Sequence, residues 1–162
     1  MMGLFMEEIV LHERIALGSY CFTAANMIAY SRRFDPVDFH LGEAAGRASI
    51  FGAMTAAGLH VACSWMACYI EHDTNMRAAL KAQGKTLPEI GPSPGFKNMR
   101  WMKPVFAGDV LSFFTTATAK RTLASRPGWG LVSGLSEGVN QNGVLVFSFE
   151  SAELTARHQT TA

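Results

Sequence analysis

The spacing between apolar residues along the chain differs between the part before residue 84 and the part after residue 96. In the first part they mostly recur at three- and four-residue intervals, which is typical of helices with a buried face. In the last part apolar and polar residues alternate, which is typical of strands. The connector between them, LPEIGPSPGF (87–96), is proline-rich and either moves or lies over a site. This order of elements predicts an α+β domain.

The first predicted helix covers 24–33, after a weakly alternating segment that ends at Phe22. Thr23 is its expected N-cap, because a hydroxyl oxygen there accepts a hydrogen bond from an N–H of the first turn. The helix ends before Pro36, since the residue that precedes a proline avoids the helical conformation. A second, short helix is predicted at 43–48, within a segment rich in polar and small residues.

A longer helix of about 15 residues is predicted to begin near Gly58 and to end at 71–73. Its apolar surface is wide, which indicates that other elements surround it on most sides. A separate helical piece is expected at 75–83, with Gly84 in the C′ position that glycine favours.

Alternating segments make up the rest of the chain, and the hairpin signal Asn142-Gly143 separates the last two. We therefore expect a curved antiparallel sheet wrapped around the long central helix. Such a sheet has open edge strands, which usually pair with another chain. The predicted strands are 98–103, 109–123, 129–140 and 144–156.

The composition fits one compact domain that associates with another copy. The 162 residues correspond to a single domain over 1–162, with its core at about 17–156. Hydrophobic residues make up 49% and charged residues 17% of the chain, whereas charged residues are about 25% of an average domain. The surplus of apolar residues indicates a large core or a covered surface, and with the open edges it favours a dimer. The net charge of +1 argues against nucleic acid or an anionic membrane as a partner.

The expected compartment is the cytoplasm. Cys21, Cys63 and Cys68 match no disulfide or zinc spacing, so we interpret them as reduced, buried thiols. The N-terminal residues lack the features of a signal peptide. No apolar stretch reaches the roughly 18 residues that span a bilayer.

The segment Phe34 to His40 (FDPVDFH) is the strongest candidate for chemistry. Asp35 and His40 are a workable pair for activating water, because one group takes a proton while the other orients or returns it. The rings of Phe34 and Phe39 offer apolar walls around them. Two alternatives remain open: Asp35 or Asp38 caps the next segment while His40 lies in solvent, or the residues bind a metal, for which no third ligand has suitable spacing.

A second candidate is the start of the central helix, where FGAMTAAG precedes residue 59. Free N–H groups at a helix start stabilise a developing negative charge, and Gly58 allows a substrate to approach the backbone closely. The alternative is that Gly52 and Gly58 serve only tight packing. His60, on the same helix, is expected to be a hydrogen-bonded core residue.

With these segments the sequence resembles the MaoC-like dehydratases, a hotdog-fold family that includes the (R)-specific enoyl-CoA hydratases. Asp35 and His40 stand at the acid and base positions of the family signature Asp-x-Asn-Pro-x-His. Phe51 and Gly58 keep the spacing of the family's phenylalanine and helix-opening glycine. The segment KPVFAGD (103–109) and the dipeptide Asn140-Gln141 are similar to later family motifs, so the resemblance runs from about residue 18 to residue 154.

The resemblance implies an acyl-CoA hydratase or dehydratase with a hotdog fold. Asp35 and His40 would activate the water that adds across the 2,3 bond of an enoyl thioester, and the Gly58 N–H would polarise the thioester carbonyl. It implies no metal or cofactor, an acyl-CoA or acyl-carrier thioester as substrate, and a homodimer or an assembly of two or three dimers. In the family the sites lie at the dimer interface.

The motif departs from the family pattern at Val37-Asp38, which replaces Asn-Pro. Related members carry Asp-Pro-x-x-Phe-His, which this chain matches from Asp35 to His40. Two other hypotheses therefore stay open: a hotdog acyl-CoA thioesterase, for which the helix offers Ser64 and Glu71, and a non-catalytic acyl-binding subunit of a heteromer.

Overall fold

The computed structural model describes residues 3–158, so both ends of the expected domain, 1–2 and 159–162, lie outside the described residues. After a short 3₁₀ turn at Met6–Glu8, helices and strands follow in the order β1, four helices, and then the remaining strands. The elements are β1 Arg14–Cys21, α1 Ala24–Phe34, α2 Asp38–Leu41, α3 Glu43–Ala48, α4 Gly58–Ala82, β2 Gly95–Trp101, β3 Val110–Thr122, β4 Trp129–Asn140 and β5 Leu145–Ala156.

The strands form one five-stranded sheet in the order β1-β3-β4-β5-β2, and every neighbouring pair is antiparallel. Helix α4 packs on this sheet: the indole N–H of Trp65 donates to the Phe114 carbonyl at 3.3 Å, and its ring meets Phe149 edge-on. The α+β hotdog architecture predicted from the sequence is confirmed.

The main core lies between α4, α1 and the sheet. Phe22, Met27, Phe113 and Phe147 are fully buried in it, and Val61 of α4 is almost fully buried. Large side chains such as these each remove a large apolar area from water, and burial of apolar area is the dominant favourable term in folding. The core therefore fixes α1 and α4 on the sheet.

Helix α4 is longer than predicted, because it runs unbroken through 71–73 and includes the piece expected at 75–83. No glycine or proline interrupts it before Gly84, which has a φ of +73°. The polar residue Asp73 is compatible with burial since its carboxylate accepts the Gly3 N–H at 3.0 Å. The predicted break was wrong because one of the polar residues that suggested it, Asp73, makes a buried contact within a continuous helix.

The connector 87–96 lies along β5. The Leu154 N–H donates to the Pro92 carbonyl at 3.0 Å, and the Ser93 hydroxyl donates to the Ala152 carbonyl at 2.7 Å. The connector thus extends the pairing between β2 and β5. Strand β2 starts at Gly95 rather than at the predicted residue 98.

The three cysteines have free thiols, and burial was predicted correctly for Cys68 alone. Cys21 is exposed on the edge strand β1, and Cys63 is exposed on the same face of α4 as Leu59 and Met66. Within residues 3–158, no helix has both the length and the apolar character needed to span a bilayer.

Candidate active site

Asp35 lies directly after α1, as its C-cap. Its N–H donates to the Ser31 carbonyl at 3.0 Å, and its own carbonyl accepts the Val37 N–H at 2.8 Å. Helix α1 starts as predicted, with the Thr23 hydroxyl accepting the Asn26 N–H. The Asp35 side chain is 40% exposed, so the carboxylate stands at the surface with its backbone held from both sides.

His40 lies in the single helical turn α2 and is buried, which excludes the alternative that its ring lies in solvent. Its Nδ1 lies 2.7 Å from the Thr55 carbonyl oxygen, and the ring of Phe39 packs edge-on against it at 4.5 Å. Its Nε2 faces Asp35, 3.6 Å from Oδ2. The structure therefore brings the two predicted residues together, with one imidazole nitrogen held and the other facing the carboxylate.

Gly58 is the first residue of α4, so its N–H has no acceptor within the helix. Its carbonyl accepts the indole N–H of Trp101 at 2.8 Å, and a Cβ on Gly58 would lie 3.0 Å from the Trp101 ring. The packing interpretation of this glycine therefore has support, and it leaves the N–H available to a ligand.

His40 and Gly58 line one cleft with a volume of about 410 Å³. Asp35 does not line it but lies beside His40. A larger cavity of about 680 Å³ lies at the other end of α4, near Leu80, and is remote from the predicted residues. The other residues of the cleft are mostly apolar: Phe39, Phe51, Thr55, Ala56, Val61, Trp101, Met102, Lys103, Pro104 and Val105.

The departure from the family motif lies at the surface. Val37 is partly exposed, and Asp38 is exposed at the start of α2 without a side-chain hydrogen bond that caps the helix. The prediction that both phenylalanines form apolar walls is right for Phe39 and wrong for Phe34, which is 61% exposed. The ring of Phe34 lies instead against Tyr30 of α1.

The Asn140-Gln141 dipeptide has a structural role. The Gln141 side chain accepts the Val110 N–H at 3.1 Å and donates to Asp109 at 2.7 Å, while the Asn140 side chain accepts the N–H groups of Asn142 and Val144. The Asn140 contacts shape the β4–β5 hairpin, and the Gln141 contacts join it to the start of β3.

An aromatic cluster beside the cleft was not predicted. His60 is buried as expected, but its ring stacks on that of Tyr30 at 4.5 Å and 6°, with Phe22 and Tyr20 edge-on. Its Nε2 lies 3.3 Å from the Tyr20 hydroxyl, whereas Nδ1 has no hydrogen-bond partner among the described residues. The tyrosines of α1 and β1 are visible in the sequence. They are 30 or more residues from His60, so the sequence did not show that the rings come together.

Burial changes the acidity of this cluster. It lowers the pKa of His60, because the charged imidazolium loses hydration. Burial is also the main cause that raises the pKa of Tyr30 to about 12, with further contributions from Cys63 and Asp35. The Tyr30 hydroxyl contacts the Cys63 thiol at 3.7 Å.

The residues considered for a thioesterase lie elsewhere. The buried hydroxyl of Ser64 donates to the His60 carbonyl of its own helix at 2.9 Å, and Glu71 is exposed. Neither residue lines the cleft that His40 and Gly58 share. Over residues 3–158, no three side chains of the metal-binding types are grouped as a metal site.

Fold and site together define a hotdog protein with an Asp-His pair beside the start of its central helix. No protein-family model and no curated protein matches the sequence. Among solved structures, the MaoC-like dehydratase from Rhodospirillum rubrum is similar, with a TM-score of 0.80 and 27% identity over 98% of this chain and 100% of that one. The resemblance to MaoC-like dehydratases inferred from the sequence is confirmed.

Two other solved structures carry names that specify a reaction. The R-hydratase PhaJ1 from Pseudomonas aeruginosa has a TM-score of 0.62 and 18% identity, covering 97% of this chain and 88% of its own. The HadBC complex from Mycobacterium tuberculosis, a 3R-hydroxyacyl-ACP dehydratase, has a TM-score of 0.66 and 16% identity, with coverages of 92% and 99%. At these identities the likeness shows a shared fold.

Proposed function

We propose that the protein is a hydratase or dehydratase that adds or removes water across the 2,3 bond of an acyl thioester. The observation that carries this proposal is the pair Asp35 and His40, 3.6 Å apart, next to a cleft that begins at the N-terminus of α4. The names of the similar structures, MaoC-like dehydratase and R-hydratase, support the same reaction class.

The hydrogen bond of His40 determines its role. A carbonyl oxygen can only accept, so the contact with Thr55 requires the hydrogen on Nδ1. In the neutral imidazole, Nε2 then carries a lone pair that faces the carboxylate of Asp35. Two acceptors at 3.6 Å form no direct hydrogen bond, but one water molecule can donate a hydrogen to each. A water molecule bound in this way would keep the lone pairs of its oxygen free to attack C3.

The Gly58 N–H is the proposed donor to the thioester carbonyl. In α4 it lies at the positive end of a 25-residue helix. As the water oxygen bonds to C3, the electrons of the 2,3 double bond move toward the thioester and place negative charge on its oxygen. A donor at that oxygen stabilises the enolate, and removing such a donor typically costs about 100- to 1000-fold in rate.

The Asp35–His40 pair accepts and returns one proton in each reaction cycle, so it ends in the protonation state in which it began. One member of the pair takes the proton that the attacking water loses, and the pair returns a proton to C2. In dehydration the same steps run backward from a 3-hydroxyacyl thioester. The proposed reaction needs no metal or cofactor, because the thioester itself acidifies the C2 proton.

We also propose that the functional unit is a homodimer. Leu59, Met66 and Ile70 form an exposed apolar stripe along α4, and Phe96 on the edge strand β2 is 64% exposed. A second copy would cover this surface, since unpaired edges and apolar stripes commonly meet a partner. Sedimentation should give a dimer mass for the wild type, and Met66→Lys should shift it toward the monomer.

The deciding experiment is reversible hydration of short enoyl-CoA substrates by the wild type and by Asp35→Asn. We expect turnover by the wild type and a loss of about 100-fold or more in the variant. Equal rates would exclude the proposal. Release of free CoA from saturated acyl-CoA would instead identify a thioesterase. Absence of any turnover, with tight binding of acyl-CoA, would identify a non-catalytic subunit. Parallel assays with acyl-carrier-protein thioesters distinguish the two carriers.

A further inference from the structure

Asp35 and His40 are connected to α4 in different ways, His40 through Thr55 and Asp35 only through helix α1. His40 is held by the backbone of Thr55, which lies just before the start of the helix, and the Thr55 N–H in turn donates to the Phe39 carbonyl at 3.3 Å. Asp35 has no comparable anchor. Within the described part of the chain, the only hydrogen-bonding or ionic side-chain contact of its carboxylate is with His40. The position of Asp35 therefore follows the position of α1.

Helix α1 meets α4 through the ring stack of Tyr30 on His60. The two rings are nearly parallel, at 6°, and their centroids are 4.5 Å apart. The Tyr30 hydroxyl also reaches Cys63 of α4 at 3.7 Å. His60 is joined to β1 as well, by the Tyr20 hydroxyl at 3.3 Å. The His60 ring is buried and the Tyr30 ring is partly buried. Flat rings have few rotational states, so this contact holds the spacing of the two helices more firmly than flexible aliphatic side chains would.

We infer that His60 and Tyr30 are positioning residues that hold Asp35 at its working distance from His40 and from the Gly58 N–H. The inference rests on the proposed function, because it assigns these residues a task in that reaction. Tyr30 lies one turn and a half before Asp35 in α1, and His60 follows Gly58 in the first turn of α4. Through the last turn of α1, the stack thus connects Asp35 to the helix start that is proposed to bind the thioester oxygen.

The first test removes the flat ring while keeping apolar volume. His60→Leu and Tyr30→Leu should lower kcat for enoyl-CoA hydration by about 10- to 100-fold with little change in KM, since a displacement of about 1 Å can cost 100-fold. His60→Phe and Tyr30→Phe keep the rings and should retain a kcat near that of the wild type. Equal losses in the Leu and Phe variants would overturn the inference.

Ile9→Ala is the matched control for stability. Ile9 is 2% exposed and belongs to a small separate core with Met6, Ala117 and Val132. The substitution should lower the unfolding midpoint about as much as His60→Leu while leaving kcat unchanged. If Ile9→Ala lowered kcat as much as His60→Leu does, general destabilisation would explain the effect and the inference would fail.

A double-mutant cycle tests whether the stack acts through Asp35. In the Asp35→Asn background, His60→Leu should cost little further activity, because groups that act as a unit give non-additive losses. Losses that multiply fully would show that His60 acts by another route.

Crystal structures of the wild type, His60→Leu and His60→Phe give a readout independent of activity. The separation between Asp35 Oδ2 and His40 Nε2 should lengthen by about 1 Å in His60→Leu alone. An unchanged separation in His60→Leu would overturn the inference even if kcat fell. If the wild type hydrates no enoyl thioester, the proposed function fails, and these structures still decide whether the stack holds Asp35.

Discussion

The segment 35–58 and the paired strands β3, β4 and β5 are stabilised by different kinds of contact. Along β3, buried residues alternate from Leu111 to Ala117, and the backbone pairs with β1 and β4 on its two sides. The segment 35–58 has only short helical turns and a few specific bonds, such as that of His40 to the Thr55 carbonyl.

This difference separates stability from chemistry. In the strands, the buried residues belong to a cooperative core, so a substitution at one of them should lower the free energy of unfolding. In the segment, single hydrogen bonds determine where the carboxylate and the imidazole lie, so a substitution there should lower the rate.

The largest expected effect is on the rate, from His40→Gln. The variant should lower kcat/KM for enoyl-CoA hydration by about 100- to 10,000-fold, the usual contribution of a general acid or base. Its amide N–H can still donate to the Thr55 carbonyl, so the unfolding midpoint should stay close to that of the wild type. Asp38→Asn, which changes an exposed carboxylate of the same segment, is the control and should keep the rate. A His40→Gln enzyme with full activity would exclude His40 from the chemistry.

The next largest effect is on stability, from Phe113→Ala. This ring is fully buried, so its removal should lower the free energy of unfolding by about 3–5 kcal/mol. Phe114→Ala, at the adjacent and half-buried position, should cost less. Urea unfolding measures both, and the hydration rate per folded molecule should be unchanged in each. A rate that falls with Phe113→Ala while the protein is fully folded would contradict the separation of the two regions.

A smaller effect concerns the pH dependence of stability at His60, which belongs to α4 and contacts Tyr30 of α1 and Tyr20 of β1. Because burial lowers its pKa in the folded state, the unfolded state binds the proton more tightly, and stability must fall as the pH drops through the ordinary histidine pKa of about 6.5. His60→Phe lacks this titration. Its free energy of unfolding should therefore decline less than that of the wild type between pH 7.5 and pH 5.5. Parallel curves for the two proteins would contradict the assignment.

Much of the fold was predictable because it depends on local patterns. Alternation predicted β3, β4 and β5 to within one residue at each end, and Thr23 together with Pro36 predicted the bounds of α1. The single turn α2 was missed, since four residues are too short for a helical period to be seen. The length of α4 was missed because the sequence does not show that Asp73 accepts a buried hydrogen bond from Gly3.

The candidate site was predictable in its residues and not in its geometry. The spacing of Asp35, His40 and Gly58 matched a family pattern, and such a pattern can be identified from the sequence alone. The bond from His40 to the Thr55 carbonyl and the stack of His60 on Tyr30 join positions distant in the chain. Such contacts depend on the tertiary fold, and no local propensity encodes them.

The smallest expected effect comes from the surface pair of Arg14 on β1 and Glu137 on β4, which are 3.0 Å apart. The Arg14 side chain is 46% exposed, so water and salt screen the attraction, and Glu137→Gln should change the free energy of unfolding by about 1 kcal/mol or less. The difference in the free energy of unfolding between the wild type and Glu137→Gln should shrink as salt rises from 0.05 M to about 1 M, where the screening length falls to about 3 Å. Arg14 also covers the Phe114 ring at 3.6 Å, so Arg14→Ala should cost more than Glu137→Gln and should keep that excess in high salt. Equal, salt-sensitive losses in both variants would show that the charge pair, rather than packing on the ring, is what Arg14 contributes.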